Sequence, residues 1–171
     1  MTVALDFLSG LETDTKGRYV SDYKVFDVEW EYNHDVIQWA FPTRTVSEYN
    51  PTAPILPEVF HFTAEHQQTI ITLMASYLAS LGIDTFYAGK VLSFDYSSDT
   101  HFRWLHQYNH NYKRLTRLIE CLGLFQLKTE QTALAEFLIY NLAIKFSKDI
   151  STDTVVYWLA TWQNARHKLQ T

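Results

Sequence analysis

One cysteine, Cys121, is the whole thiol inventory of this 171-residue chain, so no intramolecular disulfide can staple the fold. A lone thiol fits a reducing compartment, and the chain is read as cytoplasmic. With 5 glycines and 4 prolines, there is no flexible linker and no low-complexity tract to divide it. No window approaches the roughly 18 uninterrupted apolar residues of a spanning helix, which excludes integral membrane association. The opening segment, MTVALDFLSGLETDTKGR, lacks a basic n-region and carries Asp6 inside its short apolar stretch, so a signal peptide is not expected. Clustered Lys and Arg are missing too, and the net charge of −5 disfavours nucleic acid as a partner. Glycine-rich phosphate loops and a G-x-S-x-G elbow are absent, which removes most nucleotide enzymes and α/β hydrolases.

What the chain does have is apolar and aromatic bulk: 47% hydrophobic residues, with 5 Trp, 11 Tyr and 11 Phe. That composition packs a core, and the length suits one domain spanning 1–171. A first helix is predicted over Val3 to Leu8, ended by the Glu12 to Arg18 turn. A second starts near Ser21 as cap and places Tyr23, Phe26, Trp30 and Ile37 at helical spacing before Pro42. Residues 42–62 hold all four prolines and read as an ordered loop pinned by Ile55, Leu56, Val59 and Phe60. The clearest helix has Thr63 as N-cap, Glu65 in its first turn, a core stripe of Ile70, Leu73, Met74, Tyr77, Leu78 and Leu81, and Gly82 to end it. Residues 83–98 read either as irregular chain or as a short strand. Downstream, Ser98 or Asp99 caps a short helix through His106, a longer helix runs from about Asn109 to Leu122 before Gly123, and two more begin at Thr129 and Ser151. The fold class expected is all-α, an orthogonal bundle of six to seven helices with a proline-rich ordered loop.

Two strings stand out, EYNHDVIQWAFPTRTVSEYNPTAPIL from Glu31 to Leu56 and HNYKRLTRLIECLGL from His110 to Leu124. The first carries Glu31, His34, Asp35, Ile37, Gln38, Trp39, Phe41 and Pro42, then Ser47, Asn50, Ala53, Pro54 and Leu56. The second carries His110, Asn111, Arg114, Leu115, Thr116, Arg117 and Leu118. Together, with Phe7 and the Asp14, Gly17, Arg18 turn upstream, they resemble the opioid growth factor receptor conserved region over roughly residues 5 to 162. The resemblance is to a short, bacterial-type member. It implies a receptor-like binding domain, because the animal members are named for an enkephalin-type peptide and are associated with the nuclear envelope. It supplies no catalytic residues.

Read on its own, a helical 31–42 block would align Glu31, His34, Asp35 and Gln38 as a polar ridge beside Trp39. A carboxylate beside an imidazole prepares a general base; the same ridge can instead hydrogen-bond the proline loop. On the His110 helix, Asn111 lies on the apolar face, while His110, Arg114 and Arg117 share a neighbouring one. Paired guanidiniums suit an anion or a peptide carboxylate, or they pair with Glu31 or Asp35 and bring the two blocks together. His106 and His110, with His101 nearby, have the spacing of a helical metal pair but lack the glutamate of H-E-x-x-H, so no metal and no cofactor are expected. Cys121 reads as a buried, inert thiol.

The expectation is a non-enzymatic binding domain for a peptide or small anionic ligand held between the 31–42 block and the 110–117 helix. Its candidate contacts are Glu31, His34, Asp35, Gln38, Trp39, His110, Asn111, Arg114 and Arg117. The alternatives are a small enzyme on an anionic substrate with His34 or His110 as general base, and a structural oligomerisation domain.

Overall fold

A computed structural model describes residues 2–26, 29–97 and 103–167, with the backbone alone for 165–167. The proposed caps Ser98 and Asp99, and His101, lie outside these residues. The chain divides into two compact units, Met1–Ser80 and Leu81–Thr171.

In the first unit, α1 (Val3–Leu8) begins at Thr2, whose hydroxyl accepts the Leu5 N–H, and it buries Ala4, Leu5, Phe7 and Leu8. The single helix expected after Ser21 is three short ones, α2 (Val20–Tyr23), α3 (Glu29–Tyr32) and α4 (Val36–Ala40). Tyr19 rather than Ser21 starts α2, with its N–H on the Asp22 carboxylate at 2.8 Å. The chain breaks between α3 and α4, where the Glu29 carbonyl accepts both the Asn33 backbone N–H at 2.9 Å and its side-chain amide at 3.0 Å. Trp30, Val36, Ile37 and Phe41 are nonetheless buried. Trp30 stacks on Phe41, its indole N–H meets Ser76 Oγ at 2.9 Å, and Tyr77 packs beside it.

Residues 42–62 contain no helix or strand. Leu56 alone of the four expected anchors is buried; Ile55 and Val59 are exposed and Phe60 half-buried. Backbone bonding makes up the difference, with the Leu56 N–H on the Thr43 carbonyl at 2.9 Å. Helix α5 (Ala64–Ser80) has Thr63 at its start, whose Oγ1 accepts the His66 N–H, and it buries the whole expected stripe through Leu81. Gly82 then takes φ +76°, the left-handed conformation that stops a helix cheaply only at glycine.

The second unit corrects the all-α expectation. Strands β1 (Ile83–Phe86) and β2 (Val91–Phe94) pair antiparallel, Ile83 opposite Phe94 and Phe86 opposite Val91. β-Branched and aromatic residues on both sides of a tight turn favour this hairpin, and its buried end, Ile83 and Phe94, gives it a core to sit on. The helix count is also higher than six or seven. After the hairpin come α6 (Asn111–Leu124), α7 (Lys128–Glu136), a π-helical stretch over Phe137–Leu142, α8 (Ala143–Lys145) and α9 (Thr152–His167). No helix forms at His106; the described residues before α6 are turns. Within the π-helical stretch Phe137, Leu138, Ile139 and Leu142 are buried. Among the described residues, no helix is long and apolar enough to cross a membrane.

Helix α6 runs through Gly123 and closes in a Schellman motif, with Leu127 N–H on the Leu122 carbonyl at 2.9 Å and Gln126 N–H on that of Gly123 at 3.1 Å. The left-handed position falls on exposed Gln126, φ +58°. A side chain there costs about 1–2 kcal/mol, partly offset because glycine loses more freedom on folding. Gln126→Gly is therefore expected to stabilise by about 0.5–1 kcal/mol, read as a raised denaturation midpoint at unchanged m-value. Gln126→Ala, which keeps the Cβ, should show no such gain.

Candidate functional site

The 31–42 block is held by an electrostatic hub upstream of it. Asp14 is buried, and its Oδ1 accepts the backbone N–H groups of Lys16 (2.8 Å) and Arg18 (3.0 Å). Its Oδ2 accepts from Arg18 Nε and from the Tyr23 hydroxyl, each at 2.6 Å. Burial pushes the Asp14 carboxyl up, but the Tyr23 hydrogen bond, the two backbone donors and the guanidinium outweigh it and hold the group below its ordinary range. Tyr23, desolvated and facing that carboxylate, is driven far above the usual phenol range. Arg18 then reaches forward, with Nη2 on Asp35 at 2.8 Å and Nη1 on Asn33 at 3.3 Å, while Lys16 Nζ meets Asp35 at 3.2 Å.

This arrangement changes how the ridge reads. Glu31 is half-buried on α3, His34 is exposed in the turn, Asp35 precedes α4, and Gln38 and Trp39 are buried on α4, so no single helix lines them up. Asp35 takes Arg18 and Lys16 as its cations. The loop that follows binds back onto the block: Asn50 Nδ2 meets the Asp35 carbonyl at 3.1 Å, and the Gln38 amide meets Ser47 Oγ at 3.1 Å. Ser47 Oγ already accepts the N–H groups of Tyr49 and Asn50. The Gln38 Oε1 is buried without a partner, as is the Trp39 Nε1 donor.

His110, Asn111, Arg114 and Arg117 belong to the second unit. His110 is half-buried at the start of α6; Asn111 is fully buried, and its side-chain oxygen lies 3.5 Å from Nη1 of buried Arg114. Arg117 is half-buried, and desolvation lowers its pKa despite the opposing influence of Cys121 and Glu120. His106 lies outside the helix, with its ring on Asn109 at 3.0 Å, so the i, i+4 metal geometry does not arise. Among the described residues no three His, Cys, Asp or Glu side chains gather as a metal site. Cys121 is buried, and burial raises its thiol pKa far above the nucleophilic range.

Two features escape a reading by spacing alone. Ser9, closing α1, and His66, in the first turn of α5, lie 2.8 Å apart, a pairing across 57 residues. The His66 Nδ1 accepts the Thr63 N–H at 3.0 Å, so the ring proton sits on Nε2 and is donated to Ser9. A serine nucleophile needs the reverse, a ring nitrogen that accepts from the hydroxyl, so this pair clamps the two helices together. Beside it opens a cleft of about 410 Å³ lined by Leu5, Val59, Phe60, His61 and His66. The second feature is Arg44, whose Nη2 donates to the Glu58 carbonyl.

Comparison with known proteins finds no match among curated proteins and none among solved structures. A family model does match, and it covers nearly the whole chain: residues 11–170 fit the opioid growth factor receptor (OGFr) conserved region, and the protein belongs to that family.

Proposed function

We propose that the chain is a non-catalytic recognition domain whose ligand is a peptide or a small anion engaged through α6. The observation that carries this reading is the cation pair on that helix. Arg114 and Arg117 lie three residues apart, so they share a face with His110. One is buried and the other half-buried with its charged form disfavoured by desolvation. A charge already withdrawn from water gains more from an incoming anion than a solvated one does, because the local dielectric is lower. Asn111, fully buried beside Arg114, orients that guanidinium. A peptide is the favoured ligand class because the family is named for a receptor. A cytoplasmic setting is proposed with it, on the single buried thiol.

Thermal-shift screening of the whole chain against short peptides and small anions tests the reading. A true ligand at about a hundred times its Kd adds about 2.7 kcal/mol, which raises Tm by roughly 5–10 °C in a chain of this size. The shift is expected to disappear in Arg114→Ala and Arg117→Ala and to persist in His34→Ala, which lies on the other unit. If no compound stabilises the wild type, or if both arginine variants respond as the wild type does, the reading fails.

A further inference from the structure

Arg44 lies two residues beyond the first proline of the loop and is half-buried as a residue, with its Nε buried and its Nη2 contact exposed. Nη2 meets the Glu58 carbonyl, the buried Nε has no acceptor, and among the described residues no carboxylate comes within ion-pairing distance. Arg18, in the same unit, is the contrast: similarly part-buried, it holds two carboxylates and an asparagine. A carbonyl occupies one of five guanidinium donors and cancels no charge. An arginine fork whose Nε is buried without an acceptor is matched by a carboxylate or phosphate, whose two oxygens suit its paired N–H groups.

The frame around this cation is already built. Thr43 is fully buried, its carbonyl takes the Leu56 N–H at 2.9 Å, and the Glu58 contact ties the far end of the loop to the guanidinium. Prolines 42, 51, 54 and 57 restrict the intervening backbone, so little ordering is left for a ligand to impose. Just upstream, Gln38 and Trp39 add two more buried polar atoms without partners, one of them an indole donor. We propose that Arg44 anchors an oxyanion-binding site on the 42–58 stretch, which takes a carboxylate or phosphate group. The proposal does not depend on the reading given for α6.

The test follows the Arg44 Nε–H resonance of the whole chain by heteronuclear NMR, identified by its absence in Arg44→Lys, with thermal unfolding in parallel. Inorganic phosphate, acetate, and a short peptide with a free or an amidated C-terminus are titrated separately. At least one oxyanion should shift the resonance saturably and raise Tm. Phosphate acting alone marks a phosphate site, whereas acetate and the free-carboxylate peptide acting without the amidated one mark a carboxylate site. Arg44→Gln should lose the Tm response, and Arg44→Lys, charged but without the fork, should weaken it at least tenfold. A resonance unmoved by all four titrants overturns the proposal, as does an undiminished Tm response in Arg44→Gln. Should Arg44→Gln fail to fold, the wild-type titration and Arg44→Lys decide between these results. Arg114→Ala separates the two sites: a response that survives there and is lost in Arg44→Gln supports this site and counts against α6, and the reverse overturns it.

Discussion

Asp14→Ala is expected to cost the protein about 3–5 kcal/mol, the range for removing one member of a buried ion pair. The carboxylate accepts four donors, and its loss takes a partner from each, although the guanidinium keeps Asp35 and Asn33. Two are backbone N–H groups that hold the Lys16 to Arg18 turn, one is the hydroxyl of fully buried Tyr23, and one is the guanidinium that reaches on to Asp35. Tyr23→Phe removes one hydrogen bond and leaves the carboxylate its other three, so it should cost only about 1 kcal/mol. The pH dependence has a definite sign. Because the folded Asp14 pKa lies below its ordinary value, the folded state releases this proton more readily than the unfolded state does. Its contribution is complete above that value and drains away as pH falls through the folded pKa. Chemical denaturation from pH 7 downward should therefore show the wild type losing stability below about pH 4. Asp14→Asn, already destabilised at pH 7, should show a shallower loss there. A penalty within about 0.5 kcal/mol for Asp14→Ala, the range of ordinary surface changes, would mean that the hub organises nothing.

That hub also marks where reading by spacing reaches its limit. Helix α5 was legible because three independent signals coincide on it: a threonine cap, a 3.6-residue apolar period and a glycine at its end. The same period misled between Ser21 and Phe41. Residues Tyr23, Trp30 and Ile37 are all buried, but three short helices that share a core can reproduce the period of one long helix. In the hairpin, left-handed φ values fall on Tyr87 and Ala88 as well as on Gly89, and nothing in the first two residue types announces such a turn. The site shows the same divide. The shared face of His110, Arg114 and Arg117 follows from helical spacing, whereas the Arg114 contact with Asn111 does not, and Arg18 finds Asp35 across 17 residues and His66 finds Ser9 across 57. Arg44 lay in plain view within a proline-rich string, but that no carboxylate among the described residues pairs with it is a three-dimensional fact. The family resemblance was legible because order and residue type along two blocks carry it, with no need of local geometry.

Trp158→Ala is the other large effect expected, about 3–5 kcal/mol for truncating a buried tryptophan. Trp158 on α9 is fully buried and stands edge-on to Tyr112 of α6, ring centroids 6.0 Å apart at 81°, with its indole N–H on the Tyr112 carbonyl at 3.2 Å. Packing and hydrogen bonding can be separated here. The Tyr112 carbonyl also accepts from Thr116 Oγ1 at 3.0 Å, so removing the indole N–H leaves that oxygen satisfied. Trp158→Phe, which keeps an aromatic ring and loses the donor, should therefore cost only about 1–2 kcal/mol. The Tyr112 phenol gives an independent reading of the same cavity. Burial, with some help from the Asp149 charge, pushes its pKa up to about 12, and its hydroxyl is held on the His106 carbonyl at 3.0 Å. Water admitted by Trp158→Ala should favour the phenolate and bring that titration down, while Trp158→Phe leaves it close to its original position. Equal losses of stability in the two variants, with the phenol unmoved in both, would show that the indole hydrogen bond rather than the ring joins α9 to α6.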